Sequence, residues 1–255
     1  MENTPMVPHA HDRDRGDGPF ERMIISGAIM IDGTGAPPDG PVDIIVEGNR
    51  IKDIVQGGLP ESALENAHVI DANGMYIMPG FVDTHAHIGG IRQGVSAEYV
   101  HKLWLAHGVT TIRDPGSFNG ADWTLHEKQR SANNEIVAPR IFAYVCPRVW
   151  DKGFSALTVD TVPEFVNWAL EKGFDGFKII NRWDPDVIRA LIKEAKKHNL
   201  GTMAHLSQTT VARMDALQAA RAGLGSLEHW YGLPEALFDH QTVQHFPEDY
   251  NYSNE

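Results

Sequence analysis

The chain has 255 residues, of which 42% are apolar and 22% are charged, a balance typical of a folded globular protein. This composition excludes collagen-like and low-complexity chains. Acidic residues outnumber basic ones by 34 to 22, and the formal charge of −12 argues against binding to nucleic acid or to an anionic membrane surface. The single cysteine, Cys146, cannot form an internal disulfide, which fits a cytoplasmic location. One oddity is left, an excess of histidines, of which there are 13.

The N-terminal part of the chain divides into a polar lead-in and a β-rich module. No apolar stretch occurs before Gly18, so we expect a disordered lead-in over residues 1–21 rather than a signal peptide. Over residues 22–78, short β-rich runs are separated by turn signals: Glu47-Gly48-Asn49 favours a hairpin, and Asn73-Gly74 suits a type I′ turn between two further strands. We predict a small β-sandwich module here, with no chemistry of its own.

After Pro79 the pattern changes to alternating strands and helices. Such alternation predicts a parallel sheet with right-handed crossovers. Six strands are predicted, near residues 81, 109, 140, 175, 201 and 225, and helices are predicted at 96–107, 121–132, 161–172, 184–198 and 209–222. Several helices end at Gly or Asn, which tolerate the left-handed conformation of a helix C-terminus.

Four histidines occupy the ends of three predicted strands. His85 and His87 close the first strand and point the same way, because successive strand residues face opposite sides. His205 ends the fifth strand and His229 the sixth. In a closed βα barrel these strand ends line the catalytic mouth, so we expect the four rings to converge. The other nine histidines are interpreted as ordinary loop or core residues.

Lys178 is a second oddity, since it lies inside an apolar β run, Phe177–Ile180. Burial disfavours the ammonium and lowers the pKa of the amine. A neutral amine can condense with CO2 to give a carbamate, an anionic ligand with two oxygens. Two other interpretations stay open at this point: a lysine that extends its charge to the strand end, and a lysine that acts as a Schiff-base nucleophile.

These residues together resemble the metal-dependent amidohydrolase superfamily. The resemblance begins at Pro79-Gly-Phe-Val-Asp-Thr-His-Ala-His87 and continues through Gly108-Val-Thr-Thr-Ile-Arg-Asp114, Lys178, Ala204-His205 and Ser226-Leu-Glu-His229. Within the superfamily the chain is most similar to the branch of imidazolonepropionase and prolidase. The resemblance implies an α/β fold, a (β/α)8 TIM-like barrel over residues 79–255 beside the β-sandwich module of residues 22–78.

The resemblance also implies a binuclear metal centre. Two divalent ions are expected, with zinc as the favoured metal, although manganese, iron and cobalt also suit such ligands. His85 and His87 would hold the first ion and His205 and His229 the second, with carboxylated Lys178 bridging them. Water bridging the two ions would then attack a carbonyl group. Asp83, on the same strand face as His85 and His87, is a candidate hydrogen-bond partner for these ligands.

One family feature is missing from the sequence. In the family an aspartate at the end of the eighth strand ligates metal and transfers the proton to the leaving group. Here the sixth strand is followed by a polar and aromatic tail, in which Asp239 and Asp249 lack a strand context. A complete barrel takes ~250 residues, more than the chain offers after Phe81. We therefore expect a barrel truncated after its sixth strand, which would be inactive on its own.

The expected activity is hydrolysis of amide-type C–N bonds in a small molecule: an N-acyl amino acid, a dipeptide or a cyclic amide. Arginine forks suit carboxylates and tryptophan offers flat apolar area. The residues predicted to line the substrate pocket are Arg148, Trp150, Arg182, Trp183, Trp230 and Tyr231. Three alternatives stay open: a deaminase, a phosphotriesterase, or a catalytically dead binding relative. We expect no nucleic-acid or membrane partner, and a homo-oligomer for the full-length enzyme.

Overall fold

The computed structural model describes residues 16–90, 93–180, 184–206 and 213–237. Its first part is a five-stranded sheet in which β1 takes the central position and pairs with three of the other strands. A short helix, α1 (Glu61–Leu64), precedes the fourth strand. The five strands are β1 (Arg22–Met30), β2 (Asp39–Glu47), β3 (Arg50–Gln56), β4 (His68–Asp71) and β5 (Tyr76–Ile77).

Both predicted turns form, but only the first is a hairpin: the Met75 N–H donates to the Ala72 carbonyl around Asn73-Gly74, and Asn73 lacks the positive φ of a type I′ turn. Strands β2 and β3 pair antiparallel around Gly48 and Asn49, as the hairpin signal predicted. Strands β4 and β5 do not pair with each other, because both run parallel to β1, one after the other along its length. The Asn73 side chain donates a hydrogen bond to Asp71, and this local turn carries the chain past the register shift in β1.

The five-stranded sheet keeps apolar side chains in contact with solvent. Ile51 is 64% exposed and Ile54 is 41% exposed. Between residues 16 and 78 the described chain contributes strands to this one sheet only, so the second layer of the predicted β-sandwich is not confirmed.

The second part of the chain forms a six-stranded parallel sheet, as the alternating pattern predicted. The strands stand side by side in chain order, so each new strand joins the edge formed by the one before it. The pairing is parallel throughout. The strands are β6 (Phe81–Asp83), β7 (Val109–Gly116), β8 (Arg140–Val145), β9 (Gly176–Ile180), β10 (Gly201–His205) and β11 (Ser226–Glu228).

Five helices connect these strands, and their ends follow the local sequence. They are α2 (Ala97–Ala106), α3 (Ala121–Ala132), α4 (Val162–Lys172), α5 (Pro185–Lys197) and α6 (Ala216–Ala222). Gly173 ends α4 in the left-handed conformation, as predicted. The last helix begins later than predicted, because the Asp215 side chain accepts a hydrogen bond from the backbone N–H of Gln218 and caps it there. Residues 209–212 of that prediction lie outside the described residues.

Side chains of β9 alternate between two environments. Phe177 and Ile179 are fully buried in the core formed with the helices, where Phe165 of α4 lies with its ring centroid 5.2 Å from that of Phe177. Lys178 therefore points to the opposite face of the sheet. That face is also closed to solvent, since Lys178 is 2% exposed.

Contacts across the second face show that the sheet is curled. Strands β6 and β11 are its two edges, yet His85, just after β6, touches Glu228 at the end of β11. The edges can meet only if the sheet bends into a half-barrel with Lys178 inside. The fold is thus a mixed α/β fold with a curled parallel sheet of the TIM-barrel type. No helix among the described residues is long and apolar enough to cross a lipid bilayer.

Candidate active site

The four histidines predicted to converge lie next to one another inside the curl. The ring centroids of His85 and His87 are 5.3 Å apart, and those of His85 and His229 are 4.8 Å apart. His205 lies 4.9 Å from His229 by the same measure. Residues from β6, β10 and β11 are therefore brought together although they come from distant parts of the chain.

His229 sits in an unusual backbone conformation. Its φ is +66°, a left-handed value that non-glycine residues rarely adopt. Such a conformation costs about 1–3 kcal/mol, and strain of this kind concentrates at functional sites. His229 directly follows β11, so the strained backbone conformation lies where the chain leaves the sheet.

Lys178 lies beside these histidines with a buried amine. Its Nζ atom makes no hydrogen bond in the structure. Burial lowers the pKa of the amine to about 8, while the nearby Glu228 carboxylate acts in the opposite direction. At pH 7 roughly one amine in ten is therefore neutral, far more than for an exposed lysine. The interpretation that Lys178 extends its charge to solvent is wrong, because the side chain is enclosed.

Burial also shifts the pKa values of two neighbours of Lys178. The pKa of His87 falls to about 4, first because burial disfavours the cation and then because His85, Lys178 and His229 add positive charge nearby. His87 is accordingly neutral at pH 7, with a ring nitrogen lone pair. The pKa of Asp114 rises to about 7 because its carboxyl group is buried, although a hydrogen bond from the Ser117 N–H acts against the rise.

A carboxylate and a guanidinium complete the interior of the curl. Glu228 is 5% exposed, and its Oε2 lies 2.5 Å from Nδ1 of His85. Burial raises the pKa of Glu228, but the hydrogen bonds from His85 and Ser226 and the charge of Arg113 outweigh this effect and hold it below its ordinary value. Asp83 takes a different role from the one predicted, since its carboxylate accepts the backbone N–H of His85 rather than a ring N–H.

The residues predicted to contact substrate fall into four groups. Tyr231 is near the histidines, with its ring centroid 5.1 Å from that of His205, but it is only 7% exposed, and its ring is tilted against that of Trp230, which is 46% exposed. Trp150 is 4% exposed and packs in the core, 5.1 Å from Phe165, so its position does not support a substrate contact. Arg148 is exposed on the 3₁₀ turn after β8. Arg182 and Trp183 lie outside the described residues.

The donor atoms at this site suit a divalent metal ion, although the side chains are not posed around one. Within the described ranges, no three His, Cys, Asp or Glu side chains are arranged to hold a metal ion. The chemistry of the set nevertheless fits. Neutral imidazole nitrogens are preferred zinc ligands, and Lys178 is a buried amine that lacks the partner a structural lysine would have.

Sequence reasoning did not assign a role to Arg113, Asp114 or Glu228. All three lie inside motifs that carry the family resemblance, in Thr111-Ile-Arg-Asp114 and Ser226-Leu-Glu-His229. The available signal was a charged residue within or at the end of a predicted strand, as Lys178 is within one. Because the chain is acidic and charged residues usually face solvent, that signal was weak for each of them.

Comparison with known proteins identifies the class to which this fold and site belong. The sequence model of the Amidohydrolase family matches residues 76–251, well over half of the chain. The chain therefore belongs to the Amidohydrolase family.

Individual relatives are similar over parts of their length. Adenine deaminase 2 of Agrobacterium fabrum (strain C58 / ATCC 33970) is 38% identical over 112 residues, which cover 42% of this chain and 18% of the deaminase. The crystal structure of an amidohydrolase matches with a TM-score of 0.65 and 24% identity, over 82% of this chain and 60% of that one. A prolidase complexed with N-methylphosphonate-L-proline gives a TM-score of 0.64 and 23% identity, with the same coverage. The two structures support the fold, and the chain spans only part of each relative.

Proposed function

We propose that the protein is a metal-dependent hydrolase that cleaves amide-type C–N bonds in small molecules such as N-acyl amino acids, dipeptides or cyclic amides. The observation that carries the proposal is the Lys178 amine, buried without a hydrogen-bond partner beside four clustered histidines. A neutral amine here can condense with CO2, forming an N–C bond and releasing one proton. The carbamate so formed would be an anionic ligand that, together with the histidines, could hold divalent metal ions.

The residues that would hold two divalent ions, zinc being the expected metal, are His85, His87, Lys178, His205 and His229. Bound ions of this kind lower the pKa of water to about 7 and polarise a carbonyl group. The chain itself supplies the ligands. Burial keeps His87 neutral, so that a ring nitrogen can donate its lone pair to a metal ion, and Lys178 is shielded from solvent. Tyr231, which is 7% exposed, packs beside His205 and supports the position of its ring.

A carboxylate on the substrate would explain the arginines near the strand ends. Arg148 and Arg182 are the candidates for this contact, with Trp183 and Trp230 as apolar neighbours. Single replacement of either arginine should raise KM for anionic substrates with little change in kcat. An unchanged KM in both variants would contradict carboxylate recognition by these residues.

A second candidate reaction is hydrolytic deamination of a nucleobase. It is favoured by the similarity to adenine deaminase 2, which covers less than half of this chain. Deamination also breaks a C–N bond, so the same metal centre could serve both reactions. Adenine therefore belongs in any substrate panel beside dipeptides and N-acyl amino acids.

The test combines metal analysis with activity. The protein is purified with zinc and bicarbonate, its metal content is measured, and the substrate panel is assayed. We expect about two ions per chain, and a carbamate carbon signal in ¹³C NMR after incubation with ¹³C-bicarbonate. Lys178→Ala should lose the carbamate signal and the second ion, whereas the surface control Glu194→Gln should retain both. One ion per chain would favour the deaminase type, and a protein that binds no ion would overturn the proposal.

A further inference from the structure

A buried hydrogen-bond network ties His85 to the far edge of the sheet. Nδ1 of His85 faces Oε2 of Glu228, and Oε1 of the same carboxylate accepts hydrogen bonds from Arg113 at 2.8 Å and from Ser226 at 2.7 Å. The Glu228 side chain is 5% exposed and that of Arg113 is 16% exposed. The Glu228 carboxylate is therefore shielded from bulk water, whereas the His85 side chain, 25% exposed, lies at the border of the buried region.

The donors around Glu228 fix the hydrogen on His85. Arg113 and Ser226 donate to Oε1, and the adjacent guanidinium charge favours the ionised form, so Glu228 is a carboxylate that can only accept hydrogen bonds. The ring nitrogen that faces it, Nδ1, must then carry a hydrogen. In a neutral imidazole this leaves Nε2 with the lone pair, which is the atom a metal ion would use.

We propose that Glu228 and Arg113 are positioning residues that set the tautomer and ring orientation of His85, so that Nε2 is presented to a metal ion. This inference rests on the proposed function for its metal, but the tautomer itself is a property of the metal-free protein. A carboxylate behind a ligating histidine raises the basicity of the ring, and losing such a partner typically weakens metal binding by 10–100-fold.

Arg113 makes the position of Glu228 rigid. Its Nε donates to the backbone carbonyl of Thr84 at 2.8 Å, next to His85 itself, while an Nη donates to Glu228. The guanidinium also lies over the ring of Tyr144, 5.0 Å from its centroid. One arginine thus links the backbone that carries His85 to the carboxylate that orients its ring.

The first experiment is ring ¹⁵N NMR of the metal-free protein, with histidine labelled and the His85 signals assigned from their loss in His85→Gln. We expect a protonated Nδ1 and an unprotonated Nε2 at neutral pH in the wild type. Glu228→Ala should shift the ring towards the opposite tautomer. A wild-type His85 with its hydrogen on Nε2 would overturn the inference, and this measurement stands even if Glu228→Ala does not fold.

The second experiment measures zinc affinity by competition with a chelating dye. Glu228→Ala should bind zinc 10–100-fold more weakly than the wild type, while Glu228→Gln, which keeps an acceptor oxygen, should lie between the two. The matched control is Glu127→Ala, which removes a buried carboxylate from a histidine outside the site and should leave zinc affinity unchanged. Equal affinity in Glu228→Ala and wild type would reduce Glu228 to a structural role. If the wild type binds no zinc, the proposed function fails, whereas the NMR spectrum still decides the tautomer.

Discussion

Two regions of the molecule contain a histidine and an arginine that share one buried glutamate. The site cluster is His85, Glu228 and Arg113, and the helix cluster is His101, Glu127 and Arg130. In both, the glutamate accepts from a ring nitrogen and from a guanidinium. Their chemistry is nearly identical, so pairing and burial cannot by themselves distinguish a functional group from a structural one.

The neighbours of the two clusters do distinguish them. The site cluster joins residues 143 and 115 positions apart in the chain, and its histidine lies among other histidines and a buried lysine. The helix cluster joins residues 26 and 3 positions apart on two consecutive helices. Convergence of several reactive groups from distant strands, rather than any one buried pair, is what marks a candidate site.

The largest expected effect is a loss of stability, without a loss of zinc affinity, when the helix cluster is broken. Glu127→Leu leaves His101 and Arg130 without their carboxylate, and breaking a buried pair in this way costs about 3–5 kcal/mol. We expect this loss in urea unfolding, together with unchanged zinc affinity of the folded fraction. A tenfold fall in zinc affinity would show that the helix cluster is coupled to the metal site. It would contradict a purely structural role for the helix cluster.

Replacing Lys178 should stabilise the metal-free protein rather than destabilise it. With its pKa lowered to about 8 from 10.5, the ammonium form is disfavoured in the folded protein, so Lys178→Met should raise the free energy of unfolding of the metal-free protein by about 2–3 kcal/mol at pH 7. The same variant should lose the second zinc ion. Lys193→Met, at an exposed position of α5, serves as the control and should change stability by less than about 0.5 kcal/mol. A destabilised Lys178→Met would indicate that the amine has a stabilising partner.

Gly116 tests how tightly Lys178 is enclosed. Its φ is +134°, and a Cβ there would lie 3.2 Å from the Phe118 ring and 3.6 Å from Cγ of Lys178. Gly116→Ala should therefore cost about 1–3 kcal/mol in thermal or urea unfolding. Gly153→Ala, where φ is also positive but no atom lies within 4 Å of the added Cβ, isolates the backbone strain and should cost less. Equal losses would mean that the packing beside Lys178 is loose.

The smallest effect is a pH dependence of the helix cluster. The hydrogen bond from His101 and the contacts with Arg130 outweigh burial and lower the pKa of Glu127 from its ordinary value of 4.5. The folded state thus holds fewer protons than the unfolded state near pH 4, so this contribution is present above pH 4.5 and is lost as the pH falls through the folded pKa. Glu127→Gln should unfold with a shallower dependence on pH below 4.5. An unchanged acid profile would contradict the pairing.

Much of the fold and of the cluster followed from local patterns. Alternating strands and helices predicted the six parallel strands, and strand ends predicted where His85, His205 and His229 would meet. Local patterns failed where the partner was distant. Asn73-Gly74 has hairpin chemistry, but the adjacent strands pair with β1 instead, and no local signal at Glu228 shows that Nδ1 of His85 lies opposite it. Trp150 follows the end of β8, where a pocket residue is expected, but its ring is buried in the hydrophobic core.

The link that Arg113 makes between the two edges of the curled sheet has a consequence for the order of events during folding. The helix cluster needs only two neighbouring helices, so it can form as soon as that stretch of chain collapses. The site cluster must wait until β6 and β11 meet, which requires closing a loop of more than a hundred residues. We therefore expect hydrogen-exchange protection to appear early in α2 and α3 and late at the histidines, so that the reactive groups are assembled after the scaffold that isolates them.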